Sequence, residues 1–160
     1  TEQYMLANQM PSSVPRIEDD DGHEFFLNRP ASIQSLCGEP LDLEFTIEAP
    51  EDIAGATAGL VVYDLFDAPV FGTSSKFQCV CGKGSGARWQ IICKLGQIPL
   101  NAGLYSASIW FGNEYRDYAK FSKAISLQIA PSDPFGWGEA IPGSWGHFHW
   151  AAEWEFVPGE

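Results

Sequence analysis

The chain has 160 residues and a formal net charge of −12, from 21 Asp and Glu against 9 Lys and Arg, a balance that argues against nucleic acid or an anionic lipid surface as partner, since either needs clustered cations. Hydrophobic residues make up 45% and charged residues 19%, which is the composition of a folded globular chain and not of a disordered one. No apolar run approaches the roughly 20 residues of a membrane-spanning helix, and no basic segment followed by an apolar run opens the chain as a signal peptide would.

Residues 1–13 are expected to be a flexible N-terminal segment, with a single domain over 14–156. With Thr1 in place of Met at the start, the sequence reads as a piece of something larger. In Glu18–Gly22, "EDDDG" could gather oxygen ligands for calcium. It lacks the twelve-residue loop and its terminal Glu, so it reads as a strand end with an Asp-Gly turn.

Residues 41–48, "LDLEFTIE", alternate strictly, with Leu41, Leu43, Phe45 and Ile47 inward and Asp42, Glu44, Thr46 and Glu48 outward, the pattern of a half-buried antiparallel strand. "AGLVVYDLF", Ala58 to Phe66, is apolar on both faces and reads as a central strand. Asp67, Ala68 and Pro69 make a turn, and Val70 and Phe71 open a short strand that closes a hairpin. The glycine-rich "CGKGSGA" leads into "RWQIICKL", where Trp89, Ile91, Cys93 and Leu95 face one way and Arg88, Gln90, Ile92 and Lys94 the other. The "GKGSG" run is no phosphate loop, because G-x-x-x-x-G-K-[ST] must enter a helix and here a strand follows.

In "NAGLYSASIWFG", Tyr105, Ala107, Ile109 and Phe111 form a core face, and Ser106, Ser108 and Trp110 the opposite one. "NEYRDYAK" reads as a polar loop and "FSKAISLQIA" as a further strand. Seven or eight strands with this spacing predict an all-β sandwich. Residues 130–143, rich in Pro and Gly, read as a linker. The last segment, 144–156, alternates again, with Phe148, Trp150, Ala152, Trp154 and Phe156 on one face. Such a strand is expected to be covered by its own sheet or by a partner chain, since a bare aromatic edge aggregates.

Cys37, Cys79, Cys81 and Cys93 match no disulfide framework and no C-x-x-C knuckle, and read as free thiols in a reducing compartment. His147 and His149, two apart on one strand face, could supply two zinc ligands; a third would have to come from His23 or a remote side chain, so no metal site is assigned. No G-x-S-x-G elbow or Cys/His signature marks an enzyme, and no cofactor is expected.

Six Trp, five Tyr and eleven Phe leave several aromatics on outward faces. Trp110 with Ser106, Ser108, Arg88 and Gln90 would make a flat apolar plate ringed by hydrogen-bonding groups, complementary to a pyranose ring that offers a C–H face and equatorial hydroxyls. Asn113, Tyr115 and Arg116 join this carbohydrate-binding set because the loop after Trp110 can fold over that face. The acidic net charge favours a neutral or weakly charged glycan.

In order, "GEPLDLEFTIEA", "AGLVVYDLFDAPVFGTSS", "IPLNAGLYSASIWFG" and the closing "HWAAEWEF" resemble the C-terminal carbohydrate-binding domain of Wzt-type ATPase subunits of bacterial polysaccharide (O-antigen) ABC transporters. The resemblance runs over residues 14–156; the "CVCGKGSG" loop is longer and richer in glycine than the family's pattern. It implies an immunoglobulin-like antiparallel β-sandwich that binds the non-reducing end of an O-antigen-type polysaccharide in the cytoplasm, without catalysis, and couples chain completion to export. It also implies a nucleotide-binding domain preceding this one, through which the transporter's membrane subunit is engaged at the inner face of the inner membrane, and a homodimer that exchanges the C-terminal strand, a role suited to Trp145–Phe156. Two further readings compete: a structural dimerisation module without glycan binding, and a secreted carbohydrate-binding module with two disulfides.

Overall fold

The computed structural model describes residues 15–19 and 22–158; the expected flexible segment 1–13 lies outside them. Nine strands follow in chain order: β1 (Arg16–Glu18), β2 (Glu24–Asn28), β3 (Ser32–Leu36), β4 (Leu41–Ala54), β5 (Ala56–Tyr63), β6 (Pro69–Ser74), β7 (Ser85–Gly96), β8 (Gly103–Asn113) and β9 (Asp117–Ala130). They form a four-stranded sheet, β1-β2-β4-β7, packed on a five-stranded sheet, β3-β9-β8-β5-β6. The architecture is the all-β sandwich that the spacing predicts.

Alternation builds the core from both sheets. Leu41, Leu43, Phe45 and Ile47 of β4 are all buried while Asp42, Glu44 and Glu48 are exposed, as the period of two requires. From the facing sheet come Ile109 and Phe111 of β8 and Ile125 and Leu127 of β9. Phe25 of β2 bridges the two, 6.4 Å from Phe111 and 5.9 Å from Tyr118 between ring centroids. β5, apolar on both faces, lies between β8 and β6 as a central strand. Its hairpin with β6 turns at Asp64–Ala68, where the Asp64 carboxylate accepts the N–H groups of Phe66 and Ala68.

Three expectations change. The sandwich is not purely antiparallel, because β3 pairs in parallel with β9: only Arg29–Ala31 separate β2 from β3, so the chain crosses from one sheet to the other without reversing. The stretch 113–120 is not a loop throughout. β9 already begins at Asp117, and the turn is tightened by Asn113, whose Oδ1 accepts the N–H groups of Tyr115 and Arg116.

The terminal strand 144–156 does not form. Gly143–Trp145 make a single 3-10 turn, one bridge joins Phe148 to Leu100, and residues 150–158 carry no regular structure and stand exposed. A strand exists only when a neighbour takes its N–H and C=O groups, and among the described residues no sheet edge pairs with 150–158.

Candidate functional site

β8 brings Trp110 to the outer face of the five-stranded sheet, between Gly59 of β5 and Lys120 of β9. Gly59 and, on β6, Gly72 leave the sheet floor bare: a Cβ at Gly59 would stand 3.1 Å from the Thr73 carbonyl, and one at Gly72 would stand 3.1 Å from Val61 Cγ2. The result is a groove of about 400 Å³ walled by Trp110 and Phe77, with Ser74, Lys76 and Asp117 at its rim. Lys76 and Asp117 are themselves joined at 3.1 Å. The Lys120 ammonium lies 4.9 Å from the centroid of the Trp110 ring, a cation–π contact made by an exposed, flexible stem. The volume and the pairing of an aromatic wall with a few polar groups suit a small ring or the end of a chain.

The eight residues expected to form one glycan site fall into three places. Arg88 and Gln90 point outward from β7, but β7 belongs to the four-stranded sheet, so they lie on the face of the sandwich opposite Trp110. There Arg88 reaches Glu48 at 3.8 Å and Gln90 donates to Glu44. Trp110, Arg88 and Gln90 all face away from the core; the sheet each strand joins separates them. Ser106 shares the Trp110 face, opposite Tyr63 and Ser126, yet does not line the groove.

Ser108 is 2% exposed and unavailable to a ligand. Its Oγ accepts the backbone N–H of Lys123 at 2.9 Å inside a bulge. Asn113 is occupied in the turn, and its Nδ2 donates to the Tyr118 hydroxyl at 3.1 Å. Arg116 lies on the Tyr118 ring, 4.6 Å from the centroid, and Tyr115 extends into solvent; neither folds over Trp110. The groove residues that replace them, Gly59, Gly72, Lys76 and Phe77, left one trace in the sequence: glycine inside a strand marks a close approach.

A second concavity, about 570 Å³, opens between the sheets at the free edge of β7. Trp89, Ile91, Cys93 and Leu95 of β7 face Leu60 of β5 across it, and all four β7 residues are only partly buried. The 75–84 loop closes one end, where Gly82 packs so tightly that a Cβ would stand 2.3 Å from the Trp89 ring.

The terminal segment is tied down as far as His149. Asn101, 1% exposed, gives its backbone N–H to the His147 carbonyl at 2.7 Å and its Nδ2 to the Gly146 carbonyl at 2.8 Å. Its Oδ1 is thereby an acceptor, which places a proton on His149 Nδ1, 3.1 Å away. His147 turns instead to Asp64, Nε2 to Oδ2 at 3.1 Å. The two imidazoles thus have different partners, and among the described residues no group of three His, Cys, Asp or Glu is placed to hold a metal. All four cysteines are unpaired. Burial raises the thiol pKa of Cys37 and of Cys93.

A family profile described as Wzt C-terminal domain matches residues 27–138. The chain is similar in fold to a solved structure described as the C-terminal domain of wzt, with a TM-score of 0.62 and 15% identity over 94% of this chain and 92% of that one. A β-glucuronidase of Parabacteroides merdae aligns at a TM-score of 0.33 and 13% identity, over 72% of this chain and 12% of that one. No curated protein sequence matches the chain.

Proposed function

The chain belongs to the Wzt C-terminal domain family, and from that premise we propose that it recognises a bacterial surface polysaccharide of the O-antigen type, without catalysis of its own. In this reading it is the C-terminal domain of an ABC transporter ATPase subunit, stands at the cytoplasmic face of the inner membrane through the transporter complex, and couples glycan completion to export. One observation carries the site: an outward Trp110 over the bare Gly59 and Gly72 floor, an arrangement that accepts the flat C–H face of a pyranose on the indole. Ser74, Lys76 and Asp117 at the rim offer hydrogen bonds to hydroxyls. Rotation of the Lys120 stem opens the ring face.

The same reading includes a homodimer that exchanges the terminal segment. The exposed Trp150, Trp154 and Phe156 (80 to 87%) support it, since apolar surface of this kind marks a contact. They equally favour the second reading, a dimerisation module that binds no glycan.

Binding of the isolated domain to a panel of purified O-polysaccharides, the same-strain one included, followed by tryptophan fluorescence, tests the proposal. Saturable binding to the same-strain glycan alone is the expected result. A stable dimer that binds none of them would leave the dimerisation module as the function.

A further inference from the structure

In a chain of 21 Asp and Glu, the strands of the five-stranded sheet contain a single carboxylate, Asp117. β4 of the other sheet alone carries Asp42, Glu44, Glu48, Glu51 and Asp52. Asp117 is itself neutralised by Lys76 at 3.1 Å. The sheet face that presents Trp110 is therefore nearly free of negative charge, and away from the indole its polar surface is made of hydroxyl and amide side chains.

Register sets four hydroxyls in one row across four strands. Ser32 of β3 stands opposite Ser126 of β9, Ser126 opposite Ser106 of β8, and Ser106 opposite Tyr63 of β5. Each alternates with residues of the core, Ile33, Ile125, Tyr105 and Val62 among them, and so points outward. Among the described residues none of these four hydroxyls has a hydrogen-bond partner. One row further along, Gln34 Nε2 donates to Gln128 Oε1 at 3.3 Å. Trp110 lies four residues from Ser106 on the same face of β8, about 13 Å at about 3.3 Å per residue.

Two ion pairs bound the Trp110 groove along the strand direction. At one end Lys76, just after β6, meets Asp117, the residue opposite Gly112. At the other, Lys123, level with Ser108, meets Asp67 in the β5–β6 turn, a bridge that passes over β8 because β8 lies between β9 and β5. Beyond the first pair the sheet ends, since β5 begins at Ala56 and β8 stops at Asn113. Beyond the second, on the same face, comes the hydroxyl row. A glycan whose end fills the groove thus has sheet to follow in one direction only.

We infer that Tyr63, Ser106, Ser126 and Ser32 form a second subsite, which binds uncharged sugar residues interior to the glycan whose end occupies the Trp110 groove, the glycan passing over the Lys123–Asp67 pair. Each hydroxyl both donates and accepts, as sugar hydroxyls do, and the Tyr63 ring adds an apolar surface for a C–H face. Along this path Lys123 is already paired with Asp67 and the row itself carries no charge, so a charged sugar held there would lose water without gaining a partner. The inference rests on the polysaccharide reading above and adds to it which way the glycan leaves the groove and which interior residues it may carry there.

Fluorescence titration of residues 1–160 with a disaccharide and an octasaccharide cut from the non-reducing end of the same-strain O-polysaccharide tests this, with amide chemical shifts followed on nitrogen-15-labelled protein. The octasaccharide is expected to bind at least ~10-fold more tightly and to shift the amides of Ser106 and Ser126 together with that of Trp110, whereas the disaccharide shifts those of the groove alone. Tyr63→Ala should reduce the octasaccharide to the affinity of the disaccharide and leave the disaccharide unchanged. Ser126→Glu, at an exposed position, should do the same and carries the test if Tyr63→Ala does not fold. Equal affinity for the two lengths, or shifts that stay within the groove for both, overturns the second subsite and leaves the Trp110 groove standing. Binding of neither fragment nor of the intact polysaccharide overturns the polysaccharide reading, and the subsite with it.

Discussion

Ser108 Oγ accepts the backbone N–H of Lys123 at 2.9 Å across the β8–β9 pair. Ala107 stands opposite Ile125 and Ile109 opposite Phe121, so Ser122, Lys123 and Ala124 face the single residue Ser108. Lys123 adopts φ 49° to make the bulge, a conformation a lysine takes only when its surroundings hold it there. The hydroxyl that looks like a ligand contact in the sequence is a structural pin.

Ser108→Ala is accordingly expected to leave the part-buried Lys123 N–H without its protein partner and to lower stability by about 0.5–1.5 kcal/mol. Urea denaturation measures it. Glycan affinity, determined under conditions where the variant is fully folded, should be unchanged.

Trp110→Ala, by contrast, removes an outward ring and should weaken binding of the same-strain polysaccharide at least ~10-fold, equivalent to about 1.4 kcal/mol, with the dimer intact. Gly59→Val should act alike, because a branched side chain would fill the floor beneath the indole. Fluorescence titration combined with sedimentation separates this outcome from the dimerisation reading, in which Trp110→Ala weakens the dimer.

Two carboxylates contribute to the loss of stability in acid. The N–H of Ala68, then that of Phe66 and the His147 imidazole, hold the Asp64 carboxyl below its ordinary 3.8; the N–H of Gly138, followed by those of Trp137, Gly136 and Phe135, does the same for Asp133. A carboxyl depressed in the fold contributes stability that is complete above its unfolded value and is lost as pH falls through the folded one. Thermal midpoints should therefore drop below about pH 4. Asp64→Asn and Asp133→Asn should each lower the midpoint at pH 7 and flatten that acid decline.

The four thiols should divide two and two. Cys79 and Cys81 are exposed in the 75–84 loop, whereas Cys37 is buried and Cys93 partly so, with both latter thiols raised in pKa by burial. Since the thiolate is the reactive species, brief iodoacetamide treatment of the native protein at pH 7.5 should label Cys79 and Cys81 first. All four should react once the chain is unfolded, as read by peptide mass spectrometry; fewer than four would restore the disulfide-containing secreted module.

Much of the sandwich was legible because its strands are half-buried. Leu41 to Ile47 alternate without interruption and Tyr105 to Phe111 do so apart from Trp110, and a period of two assigns inward and outward faces without knowledge of the partner. The parallel β3–β9 pair was not legible, since the direction of pairing depends on where the chain crosses between sheets. The terminal segment shows the same limit from the other side: its alternation is as regular as that of β4, yet a strand needs a neighbour, and the single chain supplies none.

For the candidate site, the sequence by itself determined that Trp110, Arg88 and Gln90 point away from the core, because alternation is a local property of the backbone. Only the tertiary structure decided that Trp110 faces out from one sheet and Arg88 and Gln90 from the other, that Ser108 is consumed by a bulge, and that Gly59 and Gly72 make the floor beside the indole. Each of these is set by which strands become neighbours and in what register, and residues brought together by pairing are distant in the chain.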